Sequence, residues 1–448
     1  MIRRLLGSAA WLILAAGVAA QPATPVFRPV PLAQRPARPP DPSVKRETLV
    51  TANLTSFVAL ERRAHRAFQG LESLAQVVVP PSPVILNLFP GLTFSTLRNQ
   101  WKATLTNQGK TLVCEGQGVL TGNLPGELIL AKTGDTFTVT IRANHGPLYE
   151  VQPVPGQAGI YSIREIDLTK APPPGPPVVP EPKRKVAVPD LPPDAKEDDG
   201  ALLDVLVVYT SAVKNALGSQ QGVENRIAVA EAETNQGYRN SGVIQQIRVV
   251  HRAEVAYDES SGYRPALARL ANGEYGLKVV HKLRDHFGAD MVCLWISHDE
   301  YAGLAYILTD QTLDFEGSAF SVVNYKWATG YYSFGHELGH NQGAGHDAGN
   351  HSGGAFPDSR GYQQWKSQPF FRTIMAYDCP GKGCVRVNHW SNPGVNYDKL
   401  PTGVKAQADN ARTLNETRMI AARWRKSKAP PLISRSGRPG GPAVAGLR

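Results

Sequence analysis

The stretch His336-Glu337-Leu338-Gly339-His340-Asn341-Gln342-Gly343-Ala344-Gly345-His346 decides how this chain reads. His336 and His340 stand four residues apart. On a helix that spacing puts both imidazoles on one face, one turn apart, where they can share a metal ion. Glu337 follows the first histidine and is placed to hold a water at the metal rather than the metal itself. Catalytic zinc takes three protein ligands and keeps one position open, so a third donor is needed. His346 can supply it only if the helix stops, because a continued helix would carry it about 15 Å beyond His336. Gly343 permits that break, since glycine takes positive φ and lets the chain turn back. The intact motif argues against a binding protein built on a dead enzyme. A purely structural zinc site would usually carry a fourth protein ligand.

Outward from the motif, residues 200–427 alternate strands and helices. Residues 202–209 (Leu-Leu-Asp-Val-Leu-Val-Val-Tyr) read as a buried strand and residues 223–238 have helical spacing. Residues 244–256, the run around Val292, residues 303–308 and residues 319–324 read as further strands. Residues 277–287 are amphipathic, and residues 409–425 predict a C-terminal helix with Ala411, Leu414, Ala421 and Trp424 inward.

Upstream, Arg3 and Arg4, a short apolar run and Val18-Ala19-Ala20 read as a secretory signal over residues 1–20. The run is shorter than the roughly 20 residues that span a bilayer, so a secreted or periplasmic protein without stable membrane insertion is expected. Prolines cluster in residues 21–46 and 170–199, which read as a disordered segment and a linker. The linker holds Lys183-Arg184-Lys185, either a processing site or an ordinary flexible stretch. Between them, residues 47–169 predict a β-rich unit, with Phe137, Val139 and Ile141 on one strand face. The net charge of +10 is spread out, with one concentration in the basic tail, residues 428–448, and just before it. No nucleic-acid motif accompanies it, and nucleic acid is not an expected partner.

Four cysteines do not make a disulfide scaffold. Cys379 and Cys384 flank a short turn-rich loop, which predicts a local disulfide. Cys293 lies in an apolar run and reads as a buried strand residue.

The motif resembles the signature of the metzincin zinc metallopeptidases, whose second mark is a methionine-containing turn beneath the zinc. Thr373-Ile374-Met375-Ala376-Tyr377, with Met375 29 residues past His346, looks like that turn. Asp347 resembles the reprolysin branch. Ser391-Asn392-Pro393 and the segment Asn410-Ala411-Arg412 are similar to bacterial reprolysin-like and peptidyl-Asp metallopeptidases. The resemblance spans residues 201–426. More weakly, the β-rich unit is similar to the propeptide of those relatives.

It implies an α/β (α+β) metzincin catalytic domain with a mixed twisted sheet and an active-site helix, preceded by a small β-rich propeptide domain. It implies Zn2+ held by His336, His340 and His346, with Met375 packed beneath and binding no metal. Glu337 would take a proton from the attacking water and pass it to the leaving amine. Such an enzyme is a secreted endopeptidase made as a precursor, with polypeptide substrates and its own propeptide as an inhibitor. Gly303, Leu304, Ala305 and Tyr306 resemble the edge strand on which the family lays its substrate. Arg372, Lys382 and Arg386 lie near the Met-turn in sequence; a basic pocket there would favour an acidic residue after the scissile bond, and surface salt bridges are the other reading. Tyr377 departs from reprolysins and is typical of astacins and serralysins, where it can bind zinc and help stabilise the oxyanion; a core tyrosine of the turn is its other reading. Many metzincin propeptides block zinc with a thiolate. Cys114 is the thiol left over for that role, or else a buried thiol of the β-rich unit.

Overall fold

The computed structural model describes residues 26–31, 40–53, 55–68, 76–79, 84–96, 101–181, 200–350, 353–381 and 383–428. The signal-like residues 1–20, the Lys183-Arg184-Lys185 cluster, Lys382 and most of the basic tail lie outside them. No helix among the described residues is long and apolar enough to cross a membrane.

The first half of the chain forms β1 (Phe27–Pro29), β2 (Val44–Ala52), α1 (Thr55–Phe68), β3 (Gln76–Val79), β4 (Ile85–Phe89), β5 (Leu92–Ser95), β6 (Trp101–Thr106), β7 (Thr111–Leu120), β8 (Leu124–Thr133), β9 (Thr136–Ala143), β10 (Leu148–Pro153) and β11 (Ile160–Ile166). They make one antiparallel sheet whose main path runs β1-β2-β11-β10-β9-β8-β7-β5-β4, with β6 and β3 branching from β7. Alternation sets its core: Phe137, Val139 and Ile141 point to one face, as their spacing predicts, and meet Phe57, Leu60 and Ala64 of α1. The β-rich region begins earlier than residue 47. Val26, Phe27 and Val30 are buried, and the proline-rich stretch supplies β1 as an edge strand, where a missing proline N–H costs no ladder bond.

The second half adds β12 (Leu202–Thr210), α2 (Ser211–Ala216), α3 (Gln220–Asn240), β13 (Gln246–Val255), α4 (Tyr263–Asn272), α5 (Lys278–Phe287), β14 (Met291–Ile296), β15 (Gly303–Ala305), β16 (Phe320–Asn324), α6 (Ser333–Asn341), β17 (Gln363–Gln364), β18 (Phe371–Arg372), β19 (Val385–Arg386) and, near the C-terminus, α7 (Asn410–Ala421). The main sheet has the order β13-β12-β14-β16-β15. Its first four strands are parallel and the short edge strand β15 is antiparallel to β16. β12 shows why its sequence is a continuous apolar run: Leu203, Val205 and Val207 enter the core under α3, α6 and α7, while Leu206 and Val208 enter the core under α4 and α5. Its one buried acid, Asp204, is neutralised by a bidentate pair with Arg248 at 2.7 and 2.9 Å.

Helix α3 lies between the two sheets. Val223, Ile227 and Ala230 face the core of the second sheet, while Ala228, Val229 and Ala232 pack against Val113, Ile129 and Ala131 of β7 and β8. Polar links cross the same boundary. Asn225 accepts from Thr133 at 2.7 Å and donates to the Thr136 carbonyl, and Arg226 holds Glu150 and Gln152 of β10.

Candidate metal centre and cleft

All nine residues of α6 are buried, which a solvent-facing histidine helix would not be. Gly339 allows this. A Cβ there would lie 2.5 Å from the Trp390 ring, so only glycine lets that ring pack under the helix, and Met375 Sδ sits alongside at 3.4 Å. The helix ends where the sequence predicts. Gly343 takes φ +89°, its N–H donates to the His340 carbonyl, and the chain folds back. Asn410 then fixes the returning loop by accepting from Gly345 N–H at 3.2 Å and donating to its carbonyl at 3.0 Å.

His346 thereby meets the other two histidines. One potential ligand atom from each lies within 4.8 Å of the others, and His346 Nε2 is 3.1 Å from His336 Nε2 and 3.0 Å from His340 Nε2. The tautomers follow from the outer nitrogens. His336 Nδ1 lies 2.9 Å from the Ile374 carbonyl and His340 Nδ1 lies 2.8 Å from the Ala344 carbonyl. Carbonyls only accept, so both Nδ1 atoms carry the proton and both Nε2 lone pairs point inward. Burial, followed by the neighbouring histidines, holds His336 well below the usual histidine range, and burial takes His340 down to about 3. Neutral imidazoles converging at this distance repel unless a cation sits between them. The donor set therefore fits a zinc-sized ion.

Glu337 stands beside this cluster, fully buried, with neither carboxylate oxygen bonded to protein. Burial pushes its carboxyl well above the usual range, opposed by the charge of Arg386. It rests directly on β15: a Cβ on Gly303 would lie 2.6 Å from Glu337 Cγ and 2.7 Å from its Cδ. An acid left without partners in an interior is costly and is expected where a reacting group must be met.

Asp347 Oδ2 accepts from Tyr377 N–H at 2.9 Å, tying the methionine turn to the third-histidine loop. The Tyr377 ring stands edge-on to His346, centroids 4.7 Å apart. Cys379 and Cys384 are bonded to each other. Cys293 is buried in β14, and burial pushes its thiol up to about 12. Cys114 is not brought to the histidines. It sits in β7 between Ala103 and Leu130, inside the core of the first sheet, where burial raises its thiol well above the usual range.

What lies along the cleft instead is part of the stretch read as a linker. Gly175 N–H donates to the Gly303 carbonyl at 2.8 Å, Val178 N–H to the Ala305 carbonyl at 2.9 Å, and Ile307 N–H to the Val178 carbonyl at 3.0 Å. Val178 bridges Tyr306 in parallel sense. Tyr377 Oη donates to the Pro174 carbonyl at 2.7 Å. Thus Gly303, Leu304, Ala305 and Tyr306 form an edge that is already paired with Pro-Pro-Gly-Pro-Pro-Val. The signal was present in the sequence: with three residues per polyproline turn, Gly175 and Val178 place their N–H groups on one side. Proline content alone hid it as a linker.

The family model described as metallo-peptidase family M12 (Reprolysin_5) matches residues 201–391. A peptidyl-Asp metalloendopeptidase of Stenotrophomonas maltophilia strain R551-3 is 32% identical over 441 residues, 95% of this chain and 100% of the relative. One of that name from strain K279a is 34% identical over 66% of this chain and 70% of its own. Another, from Xanthomonas campestris pv. campestris, is 34% identical over 66% and 69%. A solved structure described as "Structure of a chaperone-substrate complex" aligns with 71% of this chain and 43% of its own at 15% identity and TM-score 0.39.

Proposed function

We propose, from the premise that this chain belongs to metallopeptidase family M12 and is a metalloendopeptidase, that it is an exported zinc endopeptidase of the metzincin class, made as a precursor and favouring an acidic residue after the scissile bond. The observation that carries the reading is the convergence of three inward imidazole nitrogens beside an unbonded buried carboxylate. His336, His340 and His346 would hold the ion; zinc in such a site supplies Lewis acidity and a water acidified toward about pH 7. Glu337 takes the proton of the attacking water and delivers it to the leaving nitrogen. The Ile374 and Ala344 carbonyls keep the ligand rings oriented. Met375, buried beneath Gly339, supports the metzincin reading through packing alone. Tyr377 Oη donates to a backbone carbonyl in the cleft, which supports a part in holding the substrate carbonyl.

The backbone groups of β15 receive an extended peptide by strand addition. In the uncut chain residues 174–178 take that edge, which supports latency by a proline-rich strap rather than by Cys114. Proline is also a poor residue on either side of a bond to be cut. The signal-like residues 1–20 support export. The acidic preference is carried over from the name of the relatives.

Cleavage of a peptide library by the purified protein tests the reading, with Glu337→Ala and a zinc chelator as controls. Both controls are expected to lower turnover by about 10²-fold or more. Undiminished cleavage in both would sink the mechanism.

A further inference from the structure

Two arginines sit inside the protein beside the cleft. β18 and β19 pair in parallel with Arg372 opposite Arg386, and both side chains are almost wholly buried, at 5% and 3% exposure. Their guanidinium groups flank the Tyr331 ring, Arg386 at 4.1 Å and Arg372 at 5.5 Å from its centroid. Both donate to the Ala376 carbonyl, at 2.7 Å from Arg372 and 3.4 Å from Arg386, directly after Met375. The remaining acceptors are the Tyr331 carbonyl for Arg386, and the Cys384 carbonyl and Tyr331 hydroxyl for Arg372.

None of these acceptors carries a charge. Elsewhere in the interior Arg226, Arg248 and Arg252 each contact a carboxylate, while Arg284 is held by the Ala289, Glu316 and Asp290 carbonyls. Here the only carboxylate in ion-pair reach among the described residues is that of Asp378, 3.8 Å from Arg372 and 61% exposed. Arg386 has none among the described residues, and its Nε is buried with no acceptor. Two like charges lie together in a low-dielectric interior with a single, mostly exposed carboxylate beside one of them, an arrangement that costs stability. Burial and then Arg372 push Arg386 down to about 10, leaving it a cation at neutral pH. Its bond to the Ala376 carbonyl places it behind the turn that carries Met375 and Tyr377, and the Tyr377 ring stands against His346.

We propose that Arg386, braced by Arg372, is the specificity-determining residue of the cleft and binds the carboxylate of an acidic substrate side chain next to the scissile bond. The inference rests on the endopeptidase reading above and adds the group that reads the substrate. The incoming carboxylate balances the charge of Arg386, as Asp378 does that of Arg372, and gives Arg386 Nε the acceptor it lacks. The fork of a guanidinium suits a carboxylate better than a lysine ammonium does.

The test uses the full chain, exported and processed, with matched quenched peptides that carry Asp, Asn or Ala after the cut bond. Wild type is expected to favour Asp over Asn in kcat/KM, and Arg386→Met to lose about 30-fold or more of that ratio. Arg386→Lys should fall between them. Zinc content and a cooperative melt verify folding; should the methionine variant not fold, the lysine variant decides. A wild-type ratio retained in a folded variant overturns the role of Arg386 and leaves the peptidase reading standing. So does a wild type that cleaves all three peptides alike. Failure of wild type to cleave any peptide, with zinc bound, would instead strike the endopeptidase reading.

Discussion

Gly303 and Glu337 belong to different elements, yet position 303 cannot gain a side chain without moving the glutamate. The carboxylate lies in the space a side chain at 303 would fill. Gly303→Ala is expected to displace Glu337 or push β15 outward while the three histidines stay in place. Misplacement on the order of 1 Å costs about 10²-fold in rate, so kcat/KM should drop by that order with full zinc content. Steady-state kinetics beside metal analysis checks this, and loss of zinc in step with activity would contradict it. The histidines were legible because their geometry is local: a four-residue helical spacing, then a glycine turn. Gly303 was legible only as part of an edge strand. Its contact with Glu337, the Asn410 clamp on Gly345 and the pairing of Arg372 with Arg386 join residues far apart in sequence, and no local period encodes them.

At the level of elements, β12, β14 and β16 announced themselves as apolar runs because both faces of the sheet are covered. α3 was visible from its helical spacing, but its second buried face was not, since small residues such as Ala228 and Ala232 mark a packed surface only when a partner is known. The strap was the clearest misreading. Proline-rich sequence reads as a linker, yet a polyproline segment is pre-extended and loses little entropy on docking to an edge. Gly175 is its tightest point: a Cβ there would lie 2.8 Å from Leu304 Cδ1 and 3.1 Å from the Gly303 carbonyl. Gly175→Val should therefore lift the strap and raise the activity of the uncut chain several-fold, read as the initial rate on a short peptide before any processing. An uncut variant as silent as wild type would show that the strap does not govern access.

Across the whole molecule, the first sheet and the catalytic half share α3 through buried polar contacts as well as apolar ones. Glu233 on α3 accepts from Gly330 N–H at 2.8 Å. Burial lifts its carboxyl from 4.5 to about 8; the Gly330 hydrogen bond opposes the rise and the charge of Glu150, on the first sheet, adds to it. The folded state thus favours the protonated acid. Its contribution is fully present below about pH 4.5 and fades as pH climbs through about 8. The melting temperature of the Glu337→Ala full chain should accordingly decline between pH 5 and 9, and adding Glu233→Gln should flatten that decline. An equal slope in both proteins would place the linkage elsewhere.

The strap is joined covalently to the cleft it fills, since the chain runs on from β11 to Gly175 and Val178. Latency of the proposed kind would be independent of concentration: a tethered competitor faces its site at an effective molarity that no peptide in solution need match. A cut downstream, anywhere in residues 182–199, would change the order of the reaction. The occupant would then belong to a separate polypeptide, still held by its contacts with α3, and its release would become a dissociation that dilution promotes. Activation of such a protein would follow protein concentration as well as proteolysis, and export into a large volume would itself favour the open cleft.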